Sequence, residues 1–394
     1  MTMLQQANAM SRLGTETAFE VLARAKALEA QGRSIINLGI GQPDFLTPDH
    51  IVEAAVKALH DGQHGYTPAN GIPSLREAVS AYLHKQYAAD VDPLRVVVVP
   101  GGKVTMFFAI LMFGEPGAEI IYPNPGFPIY ESMIRFTGAK PVPLPLLEKN
   151  GFGFDAETLL SLITDKTRLI ILNSPANPTG GVTEKSEIDN LVRGLEAFPK
   201  VAILSDEIYS RLLYDGRKHT SLLSYPELED RLILLEGWSK TYAMTGWRMG
   251  YGVWPKQLVE GATRLAVNSN SCVNAAAQFA GIAALEGPQD SVDGMQQAFD
   301  ARRRFLVERL NQIPGVSCVE PGGAFYAFPN ITNTGLTAKQ VELGLLDQAG
   351  VATIAGTSFG AHGEGYVRLS YANSMENIEI ALQRIQEWLE SHQE

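Results

Sequence analysis

The chain of 394 residues is too long for one ordinary core and too short for three, which favours two domains or one large α/β unit. With 45% hydrophobic and 19% charged residues it has the apolar material for a large core and too little charge for disorder. Lysine and arginine total 32 against 43 aspartates and glutamates, a formal charge of −11 that disfavours nucleic acid and anionic membrane surfaces as partners.

Residues 1–14 carry one arginine and no apolar h-region, so they do not read as a signal peptide. No apolar stretch reaches the roughly 18 to 20 residues of a membrane-spanning helix. Residues 15–31 place Phe19, Leu22, Ala23, Ala25 and Leu28 at helical spacing, with Gly32 as a stop. A short apolar run over 35–40 breaks at Gly41. A helix over 48–59 is expected to open with Thr47 as cap and Pro48 in its first position, and another spans 73–87.

From residue 95 the pattern changes to short β-branched runs alternating with helical stretches, with strands expected at 95–99, 118–122, 168–172, 201–204, 231–235 and 249–253. Runs this short and this uniformly apolar belong to a mostly parallel sheet covered by helices on both faces. After residue 255, helices are expected over 256–267, 274–285 and 292–312. Strands follow near 324–328, 351–354 and 366–370, and a helix over 375–390 closes the chain. The division expected is a large α/β domain over 48–287 and a smaller α+β domain built from 1–47 and 288–394.

In open α/β sheets ligands collect at the carboxyl ends of strands, and four of those ends carry unusual residues. Gly101, Gly102 and Lys103 form a glycine turn into a helix, whose free N–H groups suit a phosphate, although the spacing is not that of a P-loop. Taken alone, this turn reads more readily as a plain strand-to-helix connection. Asn177 sits among two prolines and two glycines in Ser174 to Gly181, where the Asn177–Pro178 bond is a candidate for cis. Asp206, with Tyr209 close behind, ends an apolar strand and needs a cationic or protonated partner. Lys240 leaves another buried strand among aromatic and small residues, a candidate desolvated amine, although a lone lysine reads more often as a snorkelling surface residue. Together they supply an amine nucleophile, a carboxylate, an amide with a phenol, and an anion cradle with Arg248. These are the parts that would hold the aldehyde, ring nitrogen, phenolic oxygen and phosphate of pyridoxal 5′-phosphate.

The segment from Ser239 to Tyr251, with Lys240 and Arg248, resembles the cofactor-attachment segment of class I/II aminotransferases of fold type I. The loop from Asn177 to Gly181, Ser205 to Tyr209, and Val367 to Tyr371 are similar to that family's other signatures, in its order. The resemblance runs from Gly41 to the last helix and implies a seven-stranded sheet domain with a smaller α+β domain. It implies transfer of an amino group from an L-α-amino acid, aspartate or a broad donor set, to a 2-oxo acid such as 2-oxoglutarate by a ping-pong cycle. Lys240 would attach the cofactor and move the α-proton, and Asp206 would pair with the ring nitrogen. Asn177 and Tyr209 would bond its phenolic oxygen, and Arg248, Gly102 and Lys103 its phosphate. Phe127 would stack on the ring. Tyr66 would reach the phosphate of a neighbouring subunit, implying a homodimer with shared active sites. Arg368, helped by the Gly41 backbone, would grip the substrate α-carboxylate, with Asn177 beside it. One departure from the family is Gly237, where serine is common, and Ser239 is the residue that could compensate.

Other readings are weaker. The Gly356 to Gly360 stretch matches a hydrolase nucleophile elbow at Ser358, but a strand rather than a helix is expected after it. The seven histidines lack metal spacing, and the pair His60 and His64 is split by Asp61 and Gly62. Arg302, Arg303 and Arg304 read as a solvated helix face. Cys272 and Cys318, far apart and without C-x-x-C spacing, fit a reducing cytoplasm. A β-eliminating lyase on the same fold is the main alternative, and a cofactor-sensing regulator a remote one, since nothing ahead of residue 36 is long enough for a DNA-binding module.

Overall fold

A computed structural model describes residues 4–392. The strands are β1 (Ile36–Asn37), β2 (Val96–Val99), β3 (Glu119–Asn124), β4 (Lys140–Pro145), β5 (Thr167–Asn173), β6 (Ala202–Asp206), β7 (Leu232–Gly237) and β8 (Gly250–Val253). They continue with β9 (Tyr326–Ala327), β10 (Val351–Ala352), β11 (Ile354–Ala355) and β12 (Val367–Ser370). Seven of them form one sheet in the order β2-β8-β7-β6-β5-β3-β4, parallel except for β8, which runs against both its neighbours. This is the fold class that the resemblance implied.

Helices cover both faces, as the apolar runs required. Val97 and Val99 of β2 and Leu169 and Ile171 of β5 pack into one core, while Val96, Val98, Ile170 and Leu172 point to cores on the other side. Period-2 alternation therefore persists, but both of its phases are apolar. A separate core gathers Phe299, Phe325, Tyr326, Tyr371 and Trp388 around the small sheet β11-β12-β9. β1 pairs in parallel with β10, Ile36 opposite Val351, so the two ends of the chain meet.

Three local expectations need correction. β4 has the sequence KPVPLP, and its prolines hid it from propensity reasoning. It is an edge strand, and the prolines fall on alternate residues while Lys140 N and Leu146 N donate to the β3 side, so no needed donor is lost. Thr47 caps nothing: the second helix is Asp49–His60 with Pro48 at its cap position, and Thr47 Oγ1 donates to the Ala243 carbonyl at 2.9 Å. Of the three arginines of the long helix Asp290–Leu310, only Arg304 lies on a solvated face. The Arg303 side chain is fully buried, bonded to Asp215 and Asp300, and Arg302 reaches Asp44 at 2.7 Å. The i, i+3 spacing of Asp300 was legible, but the spacing of charge along the sequence could not reveal Asp44 and Asp215, supplied from elsewhere in the chain.

The elbow motif at Ser358 runs through two short 3₁₀ turns into β12, not into a helix. Among the described residues no helix is long and apolar enough to cross a membrane, and no cluster of His, Cys, Asp or Glu could hold a metal.

Candidate active site

A cavity of about 600 Å³ opens at the carboxyl ends of β5, β6 and β7, between the large sheet and the strands β9 and β12. Gly41, Gly102, Lys103, Phe127, Asn177, Asp206, Tyr209, Ser239, Lys240, Arg248 and Arg368 all line it. Residues spread over more than three hundred positions are thus brought together. Tyr66 is not: it is 94% exposed and lies against Leu59, Cys272 and Val273 elsewhere on the surface.

Lys240 follows β7 directly, in the short helix Trp238–Thr241. That helix is fixed from behind by Trp238, wholly buried, whose indole N–H donates to the Gly281 carbonyl at 3.0 Å. Lys240 Nζ donates to the Gly41 carbonyl at 2.6 Å. Burial pushes its pKa down to about 8, and the carboxylate of Glu16 opposes that shift.

Asp206, the last residue of β6, is buried. Burial pushes its pKa up to about 6, against the pull of the hydrogen bond from Tyr130 Oη at 2.7 Å. Its second oxygen accepts only a long bond from Ile208 N, at 3.3 Å. A buried carboxylate with one neutral donor and one weak one is suited to a cationic N–H partner inside the cavity.

Asn173 fixes the loop after β5. Its Oδ1 accepts from Asn177 N at 2.9 Å, and its Nδ2 donates to the Asp206 carbonyl at 3.0 Å. Asn177 Oδ1 in turn accepts from Arg368 Nη1 at 2.8 Å. Arg368 is buried on β12, also donates to the Gly39 carbonyl, lies over the ring of Tyr326 at 4.6 Å, and keeps an Nε that is buried without a partner. A buried guanidinium with no carboxylate partner, on a residue that lines the cavity, is suited to an anion. Tyr209 Oη and Tyr326 Oη are 2.9 Å apart, and burial raises the pKa of both phenols.

At another wall, the glycine turn leads into the helix Lys103–Phe113, and Gly102 and Lys103 at its start line the cavity. Arg248 lies across that turn. It adopts the left-handed region with φ 55°, and Nη1 is steadied by the Thr245 carbonyl at 2.8 Å. A Cβ on Gly101 would come within 2.2 Å of Arg248 Nη2, and one on Gly250 within 2.2 Å of Gly102 N. The glycines let strand, turn and guanidinium converge where an anion would sit. Gly237 is packed the same way: a Cβ there would lie 2.9 Å from Gly250 Cα, so a serine would require the backbone to move, while Ser239 lines the cavity.

Phe127 meets Tyr130 edge-on at 5.6 Å, and Lys103 Nζ sits 5.0 Å over its ring. Sequence reasoning missed Tyr130, Tyr326, Asn173 and Glu16. Tyr130 lies three residues after Phe127, in the same motif, which was the available signal; nothing in its spacing connects it to Asp206, 76 positions on.

Residues 33–385 match the family described as aminotransferase class I and II. The chain is 38% identical over 394 residues to an aspartate aminotransferase of Geobacillus stearothermophilus, covering 98% of this chain and 100% of that one. It superposes on the aspartate aminotransferase of Rhizobium meliloti with a TM-score of 0.94 at 33% identity, covering 98% and 99% of the two chains. The aromatic aminotransferase of Pyrococcus horikoshii gives 0.88 at 36% identity, covering 93% and 99%.

Proposed function

Because this chain belongs to the class I and II aminotransferases, we propose that it uses the described cavity to pass an amino group from an L-α-amino acid to a 2-oxo acid, with pyridoxal 5′-phosphate as cofactor. The observation that carries the reading is the convergence, in one cavity, of a lysine amine, a buried carboxylate and a buried arginine; burial pushes the lysine pKa down and the carboxylate pKa up. When bound, the cofactor supplies an aldehyde that takes up the amino group and a ring that delocalises the electron pair left by the α-proton.

The protein's own groups divide the remaining work. Lys240 Nζ would be the attachment point and, once freed from it, the group that takes and returns the α-proton; burial lowers the pKa of the free amine, which favours the base form. Asp206 holds a proton on the ring nitrogen, which relieves the cost of its own burial, and Tyr130 orients the carboxylate. Tyr209 and Asn177 bind the phenolic oxygen. Arg248, Ser239 and the N–H groups of Gly102 and Lys103 would hold the phosphate, and Phe127 would stack on the ring. Arg368 takes the substrate α-carboxylate, while its bonds to Asn177 and Gly39 keep the guanidinium plane fixed. The Gly41 backbone, which takes a bond from Lys240, lines the same end.

The large unit over 48–287 carries the cofactor side, and the unit from 1–47 and 288–394 supplies Arg368. A homodimer, with Tyr66 completing a neighbouring phosphate site, accounts for a tyrosine left 94% exposed. Two free cysteines, one of them buried, fit a reducing cytoplasm. Aspartate is the first donor to try, on the strength of the relatives' names. Holoenzyme mixed with single amino acids is expected to show the cofactor absorbance convert and then recover on adding a 2-oxo acid. Release of ammonia with no acceptor would instead indicate elimination.

A further inference from the structure

At the mouth of the cavity, Glu16 Oε2 and Lys103 Nζ form an ion pair of 2.9 Å. Both residues line the cavity, together with Ala18, Phe19 and Ile40. Glu16 stands at the cap position of the helix Thr17–Ala30 but makes no side-chain cap bond there; its carboxylate turns instead to a lysine 87 positions away. The segment that carries it is tied down. Arg12 donates to the carbonyls of Arg135 and Phe136 at 2.8 and 2.9 Å, and Gly14 N donates to Ser132 Oγ at 2.9 Å. The Glu16 charge is felt at both Lys240 and Arg368, so it belongs to the electrostatics of the site.

This arrangement has a consequence for substrate choice. Lys103 is the cation nearest the ring of Phe127, and it is already neutralised. A substrate side chain ending in a carboxylate gains nothing from Lys103 until it displaces Glu16, and it approaches a like charge while doing so. An uncharged side chain packs against Ala18, Phe19 and Ile40 with the pair intact.

Resting on the amino-transfer reading above, we propose that Glu16 is a specificity-determining residue, holding Lys103 in an ion pair that penalises acidic side chains and opens the site to uncharged apolar or aromatic amino acids. Its role is a balance and not an exclusion, because both charges are partly exposed, with side chains 43% and 21% accessible.

The test compares wild-type holoenzyme with E16Q, and with E16A to remove the residual amide bond. The ratio of kcat/KM for aspartate over leucine is expected to rise about fivefold in the variants, the scale of a partly exposed ion pair. Equilibrium binding of succinate relative to butyrate, which needs no turnover, is expected to shift in the same direction. A ratio that stays at the wild-type value or falls, in both measurements, overturns the proposal. Absence of transfer from every amino acid tried with wild-type enzyme would overturn the proposed function, and the succinate and butyrate comparison would still report on Glu16.

Discussion

Burial pushes the pKa of Asp206 up and that of Lys240 down, each toward its neutral form; the bond from Tyr130 opposes the first shift and the carboxylate of Glu16 the second. For Asp206 the sign of the stability effect follows. The folded chain keeps its carboxyl proton up to about pH 6, while the unfolded chain releases it near the ordinary value of 3.8, so between those values the folded state binds more protons. Stability of the cofactor-free protein therefore falls as pH rises through that window, and above it the full cost of roughly 2 to 3 kcal/mol stands. D206N removes the charge and keeps an acceptor for Tyr130. Cofactor-free D206N should accordingly be more stable than wild type at pH 7.5, by an amount that shrinks toward pH 4, in denaturant titrations at both pH values. The same substitution should reduce turnover by at least about a hundredfold, because the proton held on the ring nitrogen is lost. Greater stability joined to lost activity is the pattern expected of a group placed for chemistry and not for folding.

Among the elements, the pairing of Gly237 at the end of β7 with Gly250 at the start of β8 closes a loop that contains both Lys240 and Arg248. Both side chains are thereby referred to one point of the sheet. G250A would push a methyl into the backbone of Gly102, so it should lower stability by about 1 to 3 kcal/mol and loosen the phosphate end of the cavity. Thermal unfolding and cofactor titration would read the two effects. Elements whose own residues announce them were legible in the sequence: the helix at 73–87 appears as Pro73–Tyr87, and the final one as Met375–Glu390. The strand ends carrying Asn177, Asp206 and Lys240 were legible because a polar residue directly after a buried run stands at the carboxyl edge of the sheet, where ligands bind. The proline-rich β4, the buried Arg303 and the bond from Tyr130 to Asp206 were not, since each depends on which edge or which distant loop a residue meets.

For the whole molecule, the exposed apolar residues Val52, Val56 and Leu59 recur at helical spacing on Asp49–His60, and Leu59 borders Tyr66. A second copy of the chain is the occupant proposed for this face. L59D should therefore shift sedimentation toward the 42.8 kDa monomer, and Y66F should keep the dimer but weaken cofactor binding several-fold. A wild-type protein that sediments as a monomer with its cofactor bound would contradict both. The meeting of the chain's two ends has a different kind of consequence, one of timing. β1 has no strand to pair with until β10 exists, so during synthesis Ile36 must wait for Val351 to clear the ribosome. At roughly 5 to 20 residues per second that interval is tens of seconds, in which the large sheet can form while the opening segment stays unpaired. Arg368 is made later still, so the cavity acquires its buried arginine after every other residue that lines it.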